Sequence, residues 1–483
     1  MNLRVVAAIA RDEWRYWRRS KLGMISSAAV LLLTAASLLS TVTRVETERI
    51  TRDNFQVEAE ETFASQPARH PHRMIHYGHY VFRVPPPLSV IDPGVDAFTG
   101  TVMFLEGHRQ NAAVFSPRYS AAQAGPLAEL SPAFAYQILV PLLLTVLGFG
   151  SIPREREAKT DYLLYAGSVT ATDLWLGKTL ALAGAALLSL APLVLGLVVA
   201  WGAGASLTTA AYLFIGYAIY LLTWVFLISA LSAVVATAAA SFSMLLACWV
   251  ALCVVVPPIA GAVAVGSAPV DGKVASDYAL GRALRSTGDG HNAADPAFAG
   301  LRAQLLEQYE VSDVADLPIN IRGVVAQVAE SKQGEILNTF ADERMSKESA
   351  QSQVVGWFGL LSPALALKNF SVITAGTDLR QYHRFLRDAE AVRYDFVQKL
   401  NALHIEQLAY SDDIQRSNDP EAEQRTRLNA ANWRMLEEVS SLPRPASTRL
   451  LEGFPHLLIM LAWCAFMAWV GVRNMKKGVN DVE

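Results

Sequence analysis

Three cysteines in 483 residues exclude a disulfide framework. All three, Cys248, Cys253 and Cys464, fall inside apolar runs, so no thiolate metal site is visible either. Charge of one sign is equally scarce. A formal balance of −3, without a basic tract or an aromatic stacking motif, sets nucleic acid aside as a partner. Catalytic signatures are missing too: there is no HExxH, no GxSxG and no Cys–His pairing with a family context. Gly177-Lys178-Thr179 has the tail of a phosphate-binding loop, but the glycine such a loop needs five positions earlier is Thr172, and no strand precedes it. No ATPase motif, and hence no catalytic residue and no cofactor of its own, is expected in this chain.

What the chain has in quantity is apolar length. Hydrophobic residues make up 52% of it and the mean hydropathy is positive, which places it among membrane proteins. Residues 1–21 carry Arg4, Arg11, Arg15, Arg18, Arg19 and Lys21, with Leu3, Val6, Ala10, Trp14 and Trp17 at spacings of three and four, the pattern of an interfacial amphipathic helix. Apolar runs at 22–42, 134–152, 179–201, 212–231, 240–265 and 454–472 are each long enough to cross a bilayer. The first is read as uncleaved, because 41–44 is a poor cleavage site. Basic flanks at 1–21 and in the tail 473–483 place both ends on the cytoplasmic side.

The fold expected is therefore mainly α, a polytopic membrane protein with six transmembrane helices, an N-terminal interfacial helix and two extracytoplasmic modules. The first module, 43–130, reads as small and mixed α/β: Glu46 to Thr62 looks helical, while Tyr80 to Arg83 and Thr99 to Leu105 are rich in strand formers between prolines. The second, 266–452, reads as mostly helical, with apolar positions recurring every three or four residues from Tyr382 to Leu403 and Asp378 as a candidate N-cap. The apolar stretch 354–376 is not counted as a span. Pro363 and Lys368 interrupt it, and a central lysine costs about 2.5–3.5 kcal/mol on insertion scales. It is expected to be interfacial or buried. Adjacent Pro257 and Pro258 are expected to kink or break the fifth span.

Between the second and third runs lies a charged island, 153–178, carrying Arg154, Glu155, Arg156, Glu157, Lys159 and Asp161. A bare connector between helices needs only about two to eight residues. This one is longer and includes the apolar group Tyr162, Leu163, Leu164 and Tyr165, suited to a groove in a partner. It reads as a cytoplasmic handle attached directly to two spans.

Six spans, an N-terminal interfacial helix and a handle reading ERE, then LLYAGSVTATDLWLGK, resemble the permeases of ABC-2 type exporters. The outer modules are more specific: HPHRMIHYGHYVFRVPPPLSVIDPGVDAFTG and LEGHRQN in the first, and LSPALALKNFSVITAGTDLRQYHRFLRDAEAVR in the second, look like bacterial permeases carrying the uncharacterised domain DUF3526. The resemblance implies a subunit of the bacterial inner membrane whose ATPase dimer, with its ATP and Mg²⁺, is a separate polypeptide docked on the handle. It also implies a second permease, either a related paralogue or a second copy. Membrane lipid surrounds the spans, and periplasmic partners for the outer modules remain open. No substrate follows from it.

One further cluster has the residue types for metal chemistry: His70, His72, His76 and His79, with Glu106 and His108 later. Imidazoles with a carboxylate bind Zn²⁺ or Cu²⁺. In extended chain, alternation puts His70 and His72 on one face and Glu106 and His108 on another. The spacing matches no compact ligand motif, so a structural cluster within a loop-rich module is the expectation and an extracytoplasmic metal or metal-chelate receptor the alternative. A non-transporting membrane scaffold for envelope partners is the second alternative to a permease.

Overall fold

The computed structural model describes residues 2–116, 130–167, 169–285, 287–288, 290, 292–436, 439 and 443–480. Residues 117–129 of the first outer module, 286, 289, 291, 437–438 and 440–442 of the second, 168 in the handle and 481–483 of the tail lie outside them.

Among the described residues, six helices are long and apolar enough to cross a membrane: Gly23–Ala64, Pro132–Glu157, Ala171–Gly202, Leu207–Val234, Ala238–Ser267 and Ala446–Asn474. They correspond in order to the six apolar runs. Leu207–Val234 is the centre of the bundle, with Leu213, Tyr217, Tyr220, Leu221 and Ile228 all inaccessible to solvent. Helix irregularities inside the bundle are met by side chains from neighbouring spans. A π turn at Ala135–Leu139 in the second span frees carbonyls. The Tyr220 hydroxyl donates to Gln137 O (2.5 Å) and the Trp249 indole to Ile138 O (2.9 Å). The third span breaks between Leu188 and Ala191, ahead of Pro192, and Tyr136 Oη donates to Ser189 O (2.6 Å) at the break. In the fifth span the helix does not break at Pro257 and Pro258. A π turn at Val250–Val255 comes just before them and absorbs the missing donor and the ring clash, and Ser362 Oγ donates to Leu252 O there (2.6 Å).

The segment 354–376 is neither a span nor a surface strip. A helix at Pro363–Ala375, capped by Ser362 and ended by Gly376 in the left-handed region, buries Leu367 and Phe370 in the main membrane core. At 13 residues it is about 20 Å long, short of the ~30 Å hydrocarbon thickness. Lys368 is exposed on the helix face turned away from that core.

The first span runs on without interruption as Leu22–Ala64 and carries the chain beyond the bundle into the first module. Its 43 residues reach about 65 Å, twice the hydrocarbon core, so residue 43 marks no structural boundary. The two modules expected outside the membrane are not separate bodies. Phe63, Met74 and Ile75 of the first share one core with Phe396, Val397, Leu400, Leu428 and Trp433 of the second, and Leu428 N donates to Arg69 O (2.8 Å). The expected mixed part is a two-stranded antiparallel sheet, β1 His79–Phe82 and β2 Val102–Leu105, whose Val81 and Met103 pack on Phe385 and Ala389. Those residues lie on Leu379–Gln407, the periodic helix expected from sequence, which pairs with the long Ile321–Trp357. Asp378 does precede that helix, but its carboxylate makes no cap; Oδ1 accepts from Arg444 Nη2 at 2.6 Å.

Candidate functional site

The handle is built from three short pieces: Pro153–Glu157, Thr160–Ala166 and the start of Ala171–Leu188, which opens on a Thr170–Asp173 capping box. Lys159 at the joint takes the left-handed conformation (φ 56°) that turns the second piece away from the first. The N-terminal helix Leu3–Arg19 lies along Ala171–Leu188, burying Val6, Ala10, Glu13 and Trp17. Ile9 fits so closely over Gly177 that a Cβ there would stand 2.6 Å from it.

That interface holds an acid on its apolar face. Glu13 is inaccessible to solvent, and its Oε2 accepts from Lys178 Nζ (2.7 Å) and Arg154 Nη2 (2.8 Å). Lys178 also donates to Glu155 Oε1 (2.7 Å), and the Arg154 guanidinium lies 3.5 Å over the Tyr16 ring. Arg156 reaches the next turn instead, donating to Ala233 O (2.6 Å) and Val235 O (3.0 Å) at the end of the fourth span. Glu157 Oε1 accepts from Ala238 N (3.0 Å) at the start of the fifth, where a carboxylate suits the helix dipole. The four charged handle residues thus tie the handle to the N-terminal helix and to spans three, four and five, rather than forming a rim around a docking surface. The apolar four divide as well. Tyr162 and Leu163 are 57% and 73% exposed, whereas Tyr165 packs against the small core of Ile152, Ala171, Trp175 and Ala233, and Leu164 is half-buried.

The histidines separate in a way extended chain does not allow. Pro71 starts a short helix, Pro71–Ile75, and His70 caps it, with Nδ1 accepting from His72 N (3.1 Å). His70 therefore points into the protein, its Nε2 donating to Asp413 Oδ1 (3.2 Å), while His72 and His76, four apart, share the opposite face. Glu106 and His108 part for a similar reason. His108 sits in a left-handed turn (φ 63°), so its ring swings toward His72 and His76 while Glu106 Oε1 accepts from Asn111 Nδ2 (3.1 Å). His79 faces inward on β1 against the Phe63 ring, and burial pushes it down to about 4.

Two groups result. His72, His76 and His108 offer ligand atoms within 4.8 Å of one another, as do His70, His404 and Asp413. The second group is closed. Asp413 also accepts from Asn320 Nδ2 (3.1 Å) and pairs with Arg416 (3.0 Å), so its lone pairs are committed to joining the two modules. Burial alone would raise this carboxyl, but hydrogen bonds from His404 and His70 hold it well below the usual range. In the first group, His108 Nδ1 lies 2.9 Å from Glu330 Oε2. Glu330, fully buried, is in turn fixed by Arg393 Nη1 (2.6 Å). Burial would raise Glu330 as well, but the His108 hydrogen bond and the Arg393 charge pull it down to about 2.

Glu13, Lys178, Glu330 and Asp413 were not assigned to these sites from sequence. Only Glu13 carried a local signal, as the one acid in step with Val6, Ala10 and Trp17. Each of the others takes a partner remote in the chain: Lys178 pairs with Glu13, Glu330 with His108, and Asp413 with His70 in addition to its near neighbours His404 and Arg416.

Two family models match. One described as "ABC-2 family transporter protein" covers residues 7–277, and one described as "Domain of unknown function (DUF3526)" covers 277–439. No curated protein and no solved structure matches the chain.

Proposed function

Because the chain belongs to the ABC-2 family of transporter proteins, a permease subunit that associates with an ABC ATPase, we propose that the ATPase drives it through the 153–178 handle. The observation that carries this reading is the pairing of an exposed apolar tip, Tyr162 and Leu163, with a base locked by the Glu13–Lys178–Glu155–Arg154 network. A tip of that kind fills a partner's groove, and truncating a well-buried anchor commonly costs about 2 kcal/mol or more. A locked base passes displacement on. Movement of the tip is delivered to spans two and three by direct attachment and to spans four and five through Arg156 and Glu157.

In this reading ATP and Mg²⁺ are held by the partner dimer. Two permeases, two copies or one copy with a paralogue, enclose the path for a substrate. The protein sits in a bacterial inner membrane with both ends and the handle in the cytoplasm and the joined outer modules beyond it. The scaffold alternative differs in needing no ATPase. The test is a pull-down of the partner ATPase with membranes of equal expression, comparing wild type with Tyr162→Ala/Leu163→Ala. The double variant is expected to insert and fold but to lose about thirtyfold or more in ATPase affinity. Undiminished binding and undiminished transport-stimulated hydrolysis in the double variant would remove the handle tip as the docking element, whereas a wild-type protein that captures no ATPase would favour the scaffold.

A further inference from the structure

We propose that His72, His76 and His108 form a divalent transition-metal site, for Zn²⁺ or Cu²⁺, on the outer surface of the protein. Two imidazole nitrogens bound to one tetrahedral zinc at about 2.0–2.1 Å stand about 3.3 Å apart. His72 Nε2 and His76 Nε2 stand 3.3 Å apart. The third imidazole is close: all three ligand atoms lie within 4.8 Å of one another, so His108 closes by at most about 1.5 Å, the difference between 4.8 and 3.3.

The supporting arrangement is that of a ligand set. Glu330 lies against His108 Nδ1 at 2.9 Å, which assigns the proton to Nδ1 and leaves Nε2 as the metal-facing atom. A carboxylate behind a histidine raises the ligand's basicity and fixes its ring. Glu330 is itself oriented by Arg393, and its Oε2 also accepts from His108 N (3.2 Å), which holds the left-handed turn. The two ligand-bearing segments are clamped together by Gly107 N donating to Ile75 O (3.0 Å). Only glycine permits that approach, since a Cβ at 107 would stand 1.9 Å from the Ile75 side chain.

The donor set selects the ion. Three imidazoles without a thiolate suit Zn²⁺, Cu²⁺ or Ni²⁺ and not Ca²⁺ or Mg²⁺. His76 is exposed at the edge of the group, so a fourth position faces solvent and accepts water or a ligand from outside. Since His72 and His76 belong to the first module and Glu330 to the second, an ion here also tightens the joint between them. This site does not depend on the handle reading.

The experiment uses tag-free full-length protein in nanodiscs, equilibrated with Zn²⁺ or Cu²⁺ at micromolar free concentration and assayed for metal content after desalting, with affinity from competition against a chromophoric chelator. One ion per chain is expected. His72→Ala/His76→Ala should lower affinity by at least about 100-fold, and Glu330→Gln by about 10–100-fold. Because Glu330 is buried, His76→Gln at the exposed position gives an independent arm with the fold untouched. Co²⁺ bound to wild type should give the visible bands of a tetrahedral site, absent in His76→Gln. Wild type that retains no ion, or retention and Co²⁺ spectra unchanged in the His72→Ala/His76→Ala and His76→Gln variants, would overturn the proposal.

Discussion

The Lys178 ammonium lies 2.7 Å from the Glu13 carboxylate, and neither group is open to solvent. The pair joins the N-terminal helix to the third span at the place where the handle is rooted. Removing one member of a buried pair leaves the other uncompensated and costs about 3–5 kcal/mol, whereas replacing both with apolar groups of similar volume is often neutral. Glu13→Ala and Lys178→Ala are therefore each expected to lower the thermal stability of the purified protein sharply. Glu13→Leu/Lys178→Met should recover much of the loss. Glu155 and Arg154 share the network and limit that recovery. Additive losses in the double variant, read by detergent-solubilised melting, would show that the two charges do not compensate each other.

Close approach at a second place can be tested by size alone. A Cβ at Gly216 would stand 2.0 Å from the Phe370 ring, so Gly216→Ala forces the fourth span away from the helix Pro363–Ala375. Overpacking of this kind costs about 1–3 kcal/mol. Phe370→Leu in the Gly216→Ala background should return part of it, because the clash is with the ring. Melting temperatures of the two single variants and the pair close the cycle. A Gly216→Ala protein as stable as wild type would contradict the packing described.

These residues mark where sequence stops being informative. The six spans, the N-terminal helix and the periodic helix around Phe385 were legible because each is written in local apolar spacing. The merging of the outer modules was not, because Phe63 with Phe396, or Arg69 with Leu428, are contacts between segments far apart in the chain. The histidines show the same limit at short range. Extended alternation paired His70 with His72, but one proline began a helix and sent the two rings to opposite sides. In the handle, all eight residues were visible by type. Which of them face out depends on Glu13 and on the turn before the fifth span, and neither is marked in the handle itself.

Acid should weaken the core shared by the two modules through His79. Burial holds this imidazole near 4, against an ordinary 6.5, with Glu60 opposing the shift and Glu106 and Arg393 lining the same small cavity. Between those values the unfolded chain takes up a proton that the folded chain does not. The stability contributed by neutral His79 is therefore complete above pH 6.5 and is lost as pH falls toward 4, on the order of 3 kcal/mol over the whole window. His79→Phe removes the titration while keeping an aromatic ring against Phe63. The expected result is a melting temperature that falls less between pH 7 and pH 4.5 in the variant than in wild type. Parallel pH profiles would exclude His79 as a source of the acid sensitivity.

Transmission is separable from docking, and Arg156 is where the two part. Its guanidinium donates to Ala233 O and Val235 O, the last carbonyls of the fourth span, where a cation also complements the helix dipole. Arg156→Ala leaves Tyr162 and Leu163 in place and removes the link to the fourth span. If the handle is the route by which the ATPase moves the spans, this variant binds the ATPase with wild-type affinity yet loses transport-stimulated hydrolysis. Tyr162→Ala/Leu163→Ala loses both. Hydrogen bonds from a charged donor contribute about 1.5–3 kcal/mol each, enough to change the coupling several-fold even if one is replaced by water. Pull-down affinity and hydrolysis in nanodiscs, measured on the same preparations, distinguish the cases. Full stimulation in Arg156→Ala would mean that the force does not need the link to the fourth span and travels through the direct connections to spans two and three and through Glu157 to span five.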